Sequence, residues 1–246
     1  MKITFLGTSH GFSEKNRFCS SAAVTVGKRH YLIDAGAPIA TLLRNHDMSY
    51  FDVGGIFITH THGDHFMGLV DFTQQMEVFP HFKGVRIPVF VPDAKRYMDI
   101  NQFLFGKHEL LDHRLMYRVY PPNGVIFDDG NLRVTAIPVE HCPGAHAFLL
   151  EAEGKRVVFT GDLKAGMSDY PAVITETDVD LVITEGAHTK LNKPETIEIL
   201  GKSRTKRLIV THRNSVNPDA VVEEMTAALA DKFPVLAVCD NDVIEV

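Results

Sequence analysis

The apolar positions of this 246-residue chain fall into short runs whose period changes along its length. Segments 2–7, 21–26 and 30–34 are rich in β-branched, aliphatic and aromatic residues and read as strands. The tight turn Gly27-Lys28-Arg29 joins the last two, so the chain opens on a mainly antiparallel sheet. A helix is predicted over 38–46, started by Pro38. Residues 55–59 form another β-favouring run, after which Phe66, Leu69, Val70, Thr73 and Met76 recur at helical spacing. A strand at 87–91 and a helix over roughly 93–105 come next. From Leu115 the pattern becomes strand after strand, at 115–120, 131–139, 146–151 and 155–160. Strands at 181–184, 208–211 and 234–238 then alternate with helices at about 192–201 and 217–230. Both halves run from strands into alternating strand and helix, which predicts an α+β fold of two packed sheets with helices outside. Segment 100–117, with Phe103, Phe105, Leu110, Leu111 and Met116, is apolar without a clean period. It suits core packing, a cover over a pocket, or contact with a second copy of the chain in a homodimer.

Length and composition narrow the picture. The chain is long enough to bury a sizeable core, and no Pro/Gly/Ser-rich linker divides it. The turn-like stretches Pro121-Pro122-Asn123-Gly124 and Asp128-Asp129-Gly130-Asn131 are short enough to join strands rather than domains, so one domain over 1–246 is expected. A formal charge of −6, with both signs mixed throughout, gives no basic stripe and argues against long nucleic acid as a partner. No apolar run approaches about 18 residues, and the first segment is a strand rather than a leader, so a cytoplasmic protein without a membrane span is expected. Three scattered cysteines, Cys19, Cys142 and Cys239, suit a reducing compartment. Cys142 reads as a small residue of the core.

Candidate chemistry is concentrated in Thr59-His60-Thr61-His62-Gly63-Asp64-His65, where three imidazoles and a carboxylate occupy seven positions. In an extended segment residues two apart share a face, so His60 and His62 can reach one ion together. Gly63 permits a turn, and Asp64 and His65 stand where the next helix begins. Three more residues repeat one design, an apolar strand with a ligand-type residue at its carboxyl end. They are His141 after 131–139, Asp162 after 155–160 and His212 after 208–211. Seven such side chains are too many for one tetrahedral ion and suit two. The small-residue loop Gly7-Thr8-Ser9-His10-Gly11 could offer backbone N–H groups to an anion, though an ordinary loop accounts for it as well.

The set His60-x-His62-x-Asp64-His65, His141, Asp162 and His212 resembles the metallo-β-lactamase superfamily. That resemblance implies a four-layer αβ/βα sandwich with both metals at one edge. It also implies His60, His62 and His141 at the first metal, Asp64, His65 and His212 at the second, Asp162 bridging them, and Asp34 supporting the ligand loops. Superfamily members with a cysteine at the second site, or with a glutamate in place of His62, are less similar, which favours hydrolysis. The opening Phe5-Leu6-Gly7-Thr8-Ser9 with Arg17 and Ser20-Ser21, together with Leu32-Ile33-Asp34, Gly154-Lys155-Arg156 and Thr211-His212, resembles the tRNA 3′-processing endonuclease and its phosphodiesterase relatives. The endonuclease carries a long tRNA-gripping arm between its third and fourth motifs. Here the interval from His141 to Asp162 has room for two strands and nothing else.

The chemistry implied is hydrolysis at two divalent ions, zinc first, with manganese or iron also suited to His and Asp ligands in the absence of a thiolate. Two cations about 3.5 to 4 Å apart lower the pKa of a shared water towards about 7 and supply a bridging hydroxide as nucleophile. Asp64 is placed to orient that water as well as to ligate. His188 and His146 are the candidate proton donors to the leaving group. A small or cyclic phosphodiester is the expected substrate. A lactone or thioester cleaved at the same centre is the alternative, and tRNA processing is the third reading.

Overall fold

The computed structural model describes residues 1–106, 114–191 and 193–246. Its elements are β1 (Lys2–Gly7), β2 (Ser21–Val26), β3 (Arg29–Ile33), α1 (Ile39–Asn45), β4 (Val53–Phe57), α2 (Gly63–Phe66), α3 (Gly68–Val78), β5 (Ile87–Val91) and α4 (Lys95–Phe105) in the first half. The second half holds β6 (Leu115–Val119), β7 (Gly124–Asp128), β8 (Arg133–Pro138), β9 (His146–Ala152), β10 (Lys155–Phe159), α5 (Ala172–Glu176), β11 (Leu181–Glu185), α6 (Pro194–Gly201), β12 (Leu208–Thr211), α7 (Ala220–Leu229), β13 (Val235–Ala237) and β14 (Val243–Glu245).

Among the described residues the strands form two seven-stranded sheets, ordered β14-β1-β2-β3-β4-β5-β6 and β13-β12-β11-β10-β9-β8-β7. Period-two alternation sorts their side chains. Phe57 and Ile183 face the other sheet, while their neighbours Ile56 and Val182 face helices. Three apolar clusters result. Ile3, Phe5, Phe57, Phe148, Phe159 and Ile183 pack between the sheets. Ile39, Leu43, Leu69 and Phe72 pack from α1 and α3 onto the first sheet, and Leu200, Met225 and Leu229 from α6 and α7 onto the second. This is the helix-sheet-sheet-helix sandwich expected from the sequence.

Strand direction explains where the site falls. In the first sheet β1–β2–β3 are antiparallel neighbours and β3–β4 are parallel, so β1, β3 and β4 all point one way. In the second sheet β8, β10, β11 and β12 likewise share a direction, with β9 alone reversed among them. The loops after these strands therefore collect at one edge, and they hold every ligand-type residue named above. Gly36 and Gly68 let that edge close up: a Cβ on Gly36 would stand 2.3 Å from the Asp64 carbonyl oxygen, and one on Gly68 2.5 Å from that of Ala35.

Several boundaries differ from the sequence reading. The first sheet is antiparallel only as far as β3, because β4, β5 and β6 return through crossovers and pair in parallel. The strand expected over 55–59 is Val53–Phe57. Its ladder ends because the Asp34 side chain, rather than a neighbouring backbone carbonyl, accepts from Thr59 N–H. The helix expected after His65 is broken into two at Met67. Two edge strands, β7 and β14, are short and partly exposed, so neither shows a full apolar alternation. Of segment 100–117, Leu110 and Leu111 lie outside the described residues. No helix among the described residues is long and apolar enough to cross a membrane.

Phe57 is a centre of the packing between the sheets. It stacks on Phe90 with ring centroids 5.0 Å apart and meets Phe127 and Phe148 edge-on. Phe57→Ala is expected to cost about 3–5 kcal/mol, measured by urea unfolding. A loss below about 1 kcal/mol would mean that the intersheet core is not held there.

Candidate metal centre

Asp34 lies just beyond β3 in a left-handed conformation, φ 60°, and is buried. Its carboxylate accepts from Thr59 N–H at 2.7 Å, from Thr59 Oγ1–H at 2.9 and 3.0 Å, and from His65 Nδ1–H at 2.8 Å. With its hydroxyl proton committed to Asp34, Thr59 Oγ1 is left to accept from His60 Nδ1, 3.1 Å away. One carboxylate thereby sets the tautomers of two histidines and turns the Nε2 lone pairs of His60 and His65 towards the open edge.

Those lone pairs meet others. His60 Nε2 stands 3.0 Å from His62 Nδ1, which stands 3.1 Å from His141 Nε2. His65 Nε2 stands 3.1 Å from His212 Nε2, and Asp64 Oδ2 is 3.0 Å from His212 Nε2 and 3.6 Å from His65 Nε2. Asp162 lies between the two groups and divides its oxygens: Oδ2 is 3.7 Å from His60 and 3.6 Å from His141, while Oδ1 is 3.4 Å from His65 and 3.2 Å from His212. All seven residues named from the sequence are thus brought together. His212 also adopts a left-handed conformation, φ 47°, uncommon for a residue with a side chain and typical of a constrained site.

The arrangement fits two cations. Asp162 Oδ1 and His212 Nδ1 are buried without a hydrogen-bond partner, and nitrogen facing nitrogen at about 3 Å cannot be satisfied by neutral imidazoles that both present lone pairs. His60, His62 and His141 could hold one ion, Asp64, His65 and His212 the other, with Asp162 shared. The lowered pKa values of two histidines in the first group agree with that use. Burial, then the neighbouring His65, pushes His60 down to about 2, and burial lowers His141, so both keep a free lone pair. Burial alone would raise Asp162, but the imidazoles of His212 and His65 outweigh it and hold the carboxyl well below its usual range. For His65 burial is again opposed, here by the Asp162 and Asp34 carboxylates, which raise its pKa well above 6.5.

Further residues adjoin these seven. His188 Nδ1 is 3.2 Å from Glu185 Oε1 and 3.9 Å from Asp162 Oδ2, and Glu185 Oε2 accepts from the His188 backbone N–H at 2.8 Å. The Glu185 carboxylate raises the His188 pKa, against burial. The sequence reading passed over Glu185, whose signal was an acidic residue closing the apolar strand β11, three positions before His188. His10 presents its ring edge-on to His212 and His188, with centroids 4.9 and 5.5 Å apart. Gly11 N–H donates to Asp64 Oδ2 at 2.7 Å, so this loop serves a carboxylate of the protein itself. His146 is buried, with its two ring nitrogens each 2.8 Å from a backbone carbonyl oxygen, of Gly144 and Pro122. It is therefore a structural residue and not a proton donor.

A model of the family described as Anti-Pycsar protein Apyc1 matches residues 1–232. The chain belongs to that family. Ribonuclease Z of Methanocaldococcus jannaschii is 30% identical to this Apyc1-family chain over 152 residues, which are 61% of the chain and 47% of the relative. The chain spans about half the length of the curated relatives it matches. Among solved structures, human tRNase Z, short form, superposes with a TM-score of 0.75 at 22% identity, over 100% of this chain and 99% of that one. The metallo-β-lactamase fold protein YhfI from Bacillus subtilis superposes with a TM-score of 0.79 at 20% identity, over 99% of both chains. The Apyc1-family chain thus has the metallo-β-lactamase fold.

Asp34→Asn tests the support behind the histidines, because asparagine tolerates the left-handed backbone but cannot accept from all three donors. Metal affinity should fall by about 10–100-fold with the fold retained, read by competition with a chromophoric chelator. Unchanged affinity would mean that Asp34 does not orient the ligands.

Proposed function

We propose that this chain is a metal-dependent phosphodiesterase acting on a small or cyclic phosphodiester at the centre formed by His60, His62, Asp64, His65, His141, Asp162 and His212. The observation that carries the reading is the division of the Asp162 oxygens between the two groups, the arrangement a bridging ligand requires. Two divalent ions bound there, zinc by preference, would lower the pKa of a water and polarise a phosphoryl oxygen. Asp64, held by Gly11 N–H and beside His212, is placed to accept a hydrogen bond from that water and orient it.

His188 supplies the proton. The raised pKa given by Glu185 keeps its imidazole protonated further into the neutral range, and its position beside Asp162 puts it at the reacting edge. The leaving alkoxide of a phosphodiester needs such a proton, whereas a thiolate leaving from a thioester needs none.

Substrate size follows from the interval between His141 and Asp162. It is filled by the hairpin of β9 and β10, whose strands pair along their length and lie within the sheet. No arm reaches from this interval to grip a macromolecule, and the net charge of −6 does not favour a polyanionic backbone. The relatives named Ribonuclease Z favour tRNA as the second reading. A lactone or thioester remains the alternative, because the seven ligands would serve it equally.

The test is turnover of the zinc- or manganese-loaded chain on an activated phosphodiester, an activated lactone, a thioester and a precursor tRNA. Phosphodiester cleavage that is lost in Asp162→Ala supports the reading. Cleavage of the lactone or thioester alone, or of the tRNA in preference to small diesters, would overturn it.

His188→Ala should slow diesters with poor leaving groups by about 10²–10⁴-fold and activated ones far less. Equal slowing of both would assign His188 a structural role. Glu185 raises the His188 pKa, and activity needing protonated His188 falls as pH rises through that value. Glu185→Gln should therefore move the alkaline limb of the kcat profile to lower pH, and an unmoved limb would separate the pair from proton transfer.

A further inference from the structure

Cys142 follows the ligand-type residue His141 in the tight loop between β8 and β9, closed by Ala145 N–H donating to the Cys142 carbonyl oxygen at 3.0 Å. The loop turns the side chain back under the first group. The Sγ of Cys142 and one ring nitrogen from each of His60, His62 and His141 all lie within 4.8 Å of one another. Cys19 and Cys239 belong to no such group among the described residues. Cys142 also packs on the apolar cluster of the second sheet, which holds the loop in place while leaving the thiol half-buried at the centre.

Imidazole nitrogen and cysteine sulfur are both donors that zinc takes. Asp162 reaches two of the three histidines at 3.7 and 3.6 Å and shares itself with the second group, so the first position has room for a fourth donor of its own. We infer that Cys142 is a further ligand of the cation held by His60, His62 and His141, alongside the shared Asp162. The inference rests on the metal-centre reading above and adds a ligand to it. On binding, the Sγ–H bond breaks, its proton leaves to solvent and an Sγ–metal bond forms, with no change in oxidation state. A thiolate would replace the all-nitrogen and oxygen set expected from the sequence. It would select the softer ions, zinc above manganese, and would make this position the part of the centre sensitive to thiol reagents.

X-ray absorption at the zinc edge, on the full chain loaded with two equivalents of zinc so that both positions are filled, decides the matter without depending on activity. A sulfur scatterer at about 2.3 Å beside nitrogen and oxygen at about 2.0–2.1 Å is expected. It should persist in the Cys19→Ser/Cys239→Ser double variant and be lost in Cys142→Ser. Cobalt substitution should add a sulfur-to-cobalt charge-transfer band that follows the same pattern. Nitrogen and oxygen scatterers alone in the unaltered chain would overturn the inference, as would a sulfur signal that survives Cys142→Ser. The unaltered chain is decisive even if Cys142→Ser fails to fold. Elemental analysis keeps the two readings apart: bound zinc without sulfur defeats only the Cys142 ligand, whereas no bound zinc defeats the metal centre with it.

Discussion

One buried carboxylate disciplines the edge that holds the candidate ligands. Asp34 is removed from water, so its charge is tolerable only with its donors in place, and those donors are Thr59 N–H, Thr59 Oγ1–H and His65 Nδ1–H. Hydrogen bonds to a charged group contribute roughly 1.5–3 kcal/mol each, and they end the β4 ladder, fix the rotation of His65 and, through the Thr59 hydroxyl, that of His60. The left-handed turn at Asp34 is what aims the carboxylate across the chain to residue 59. Glycines at 36 and 68 permit the approach, because no side chain fits between the Asp34 loop, with Ala35 and Gly36, and the segments around Asp64 and Gly68.

Around this anchor the fold solves a problem of delivery. The candidate ligands come from widely separated parts of the sequence, yet they end on strands that share one direction within each sheet. Parallel pairing sends the intervening return paths to the opposite edge or across a helical face, so this edge collects the loops that follow those strands. The same geometry accounts for Glu185, His188 and His10, which arrive on the ends of β11 and β1 and border the centre without belonging to the sevenfold set.

Much of this was legible in the residues. Strands such as 155–160 and 208–211, apolar and closed by Asp162 or His212, announce themselves because burial on both faces demands continuous apolar runs. The histidine cluster at 60–65 needs no tertiary information to suggest an ion. What the chain does not display locally is pairing. Whether β3 is followed by an antiparallel or a parallel neighbour depends on the crossover through α1, and that made the first sheet look more antiparallel than it is. Exposed edge strands such as β14 obey their partner's hydrogen bonds more than their own pattern. Cys142 and His146 show the same limit at the level of side chains. Each sits near a candidate ligand in sequence, but only the loop conformation turns the thiol into the centre and the imidazole away from it, towards two carbonyls.

The two groups of candidate ligands do not respect the boundary between the sheets. His60, His62, Asp64 and His65 hang from the first sheet, while His141, Asp162 and His212 hang from the second. Cations bound between them would act as a clasp across the sandwich, adding to the apolar packing of Phe57 on Phe148 and to hydrogen bonds such as that from His146 N–H to the Thr59 carbonyl oxygen. Ion occupancy would then be written into the mechanics of the whole molecule. Chelation would loosen the docking of one half on the other as well as empty a site, and the binding free energy would appear as resistance to unfolding.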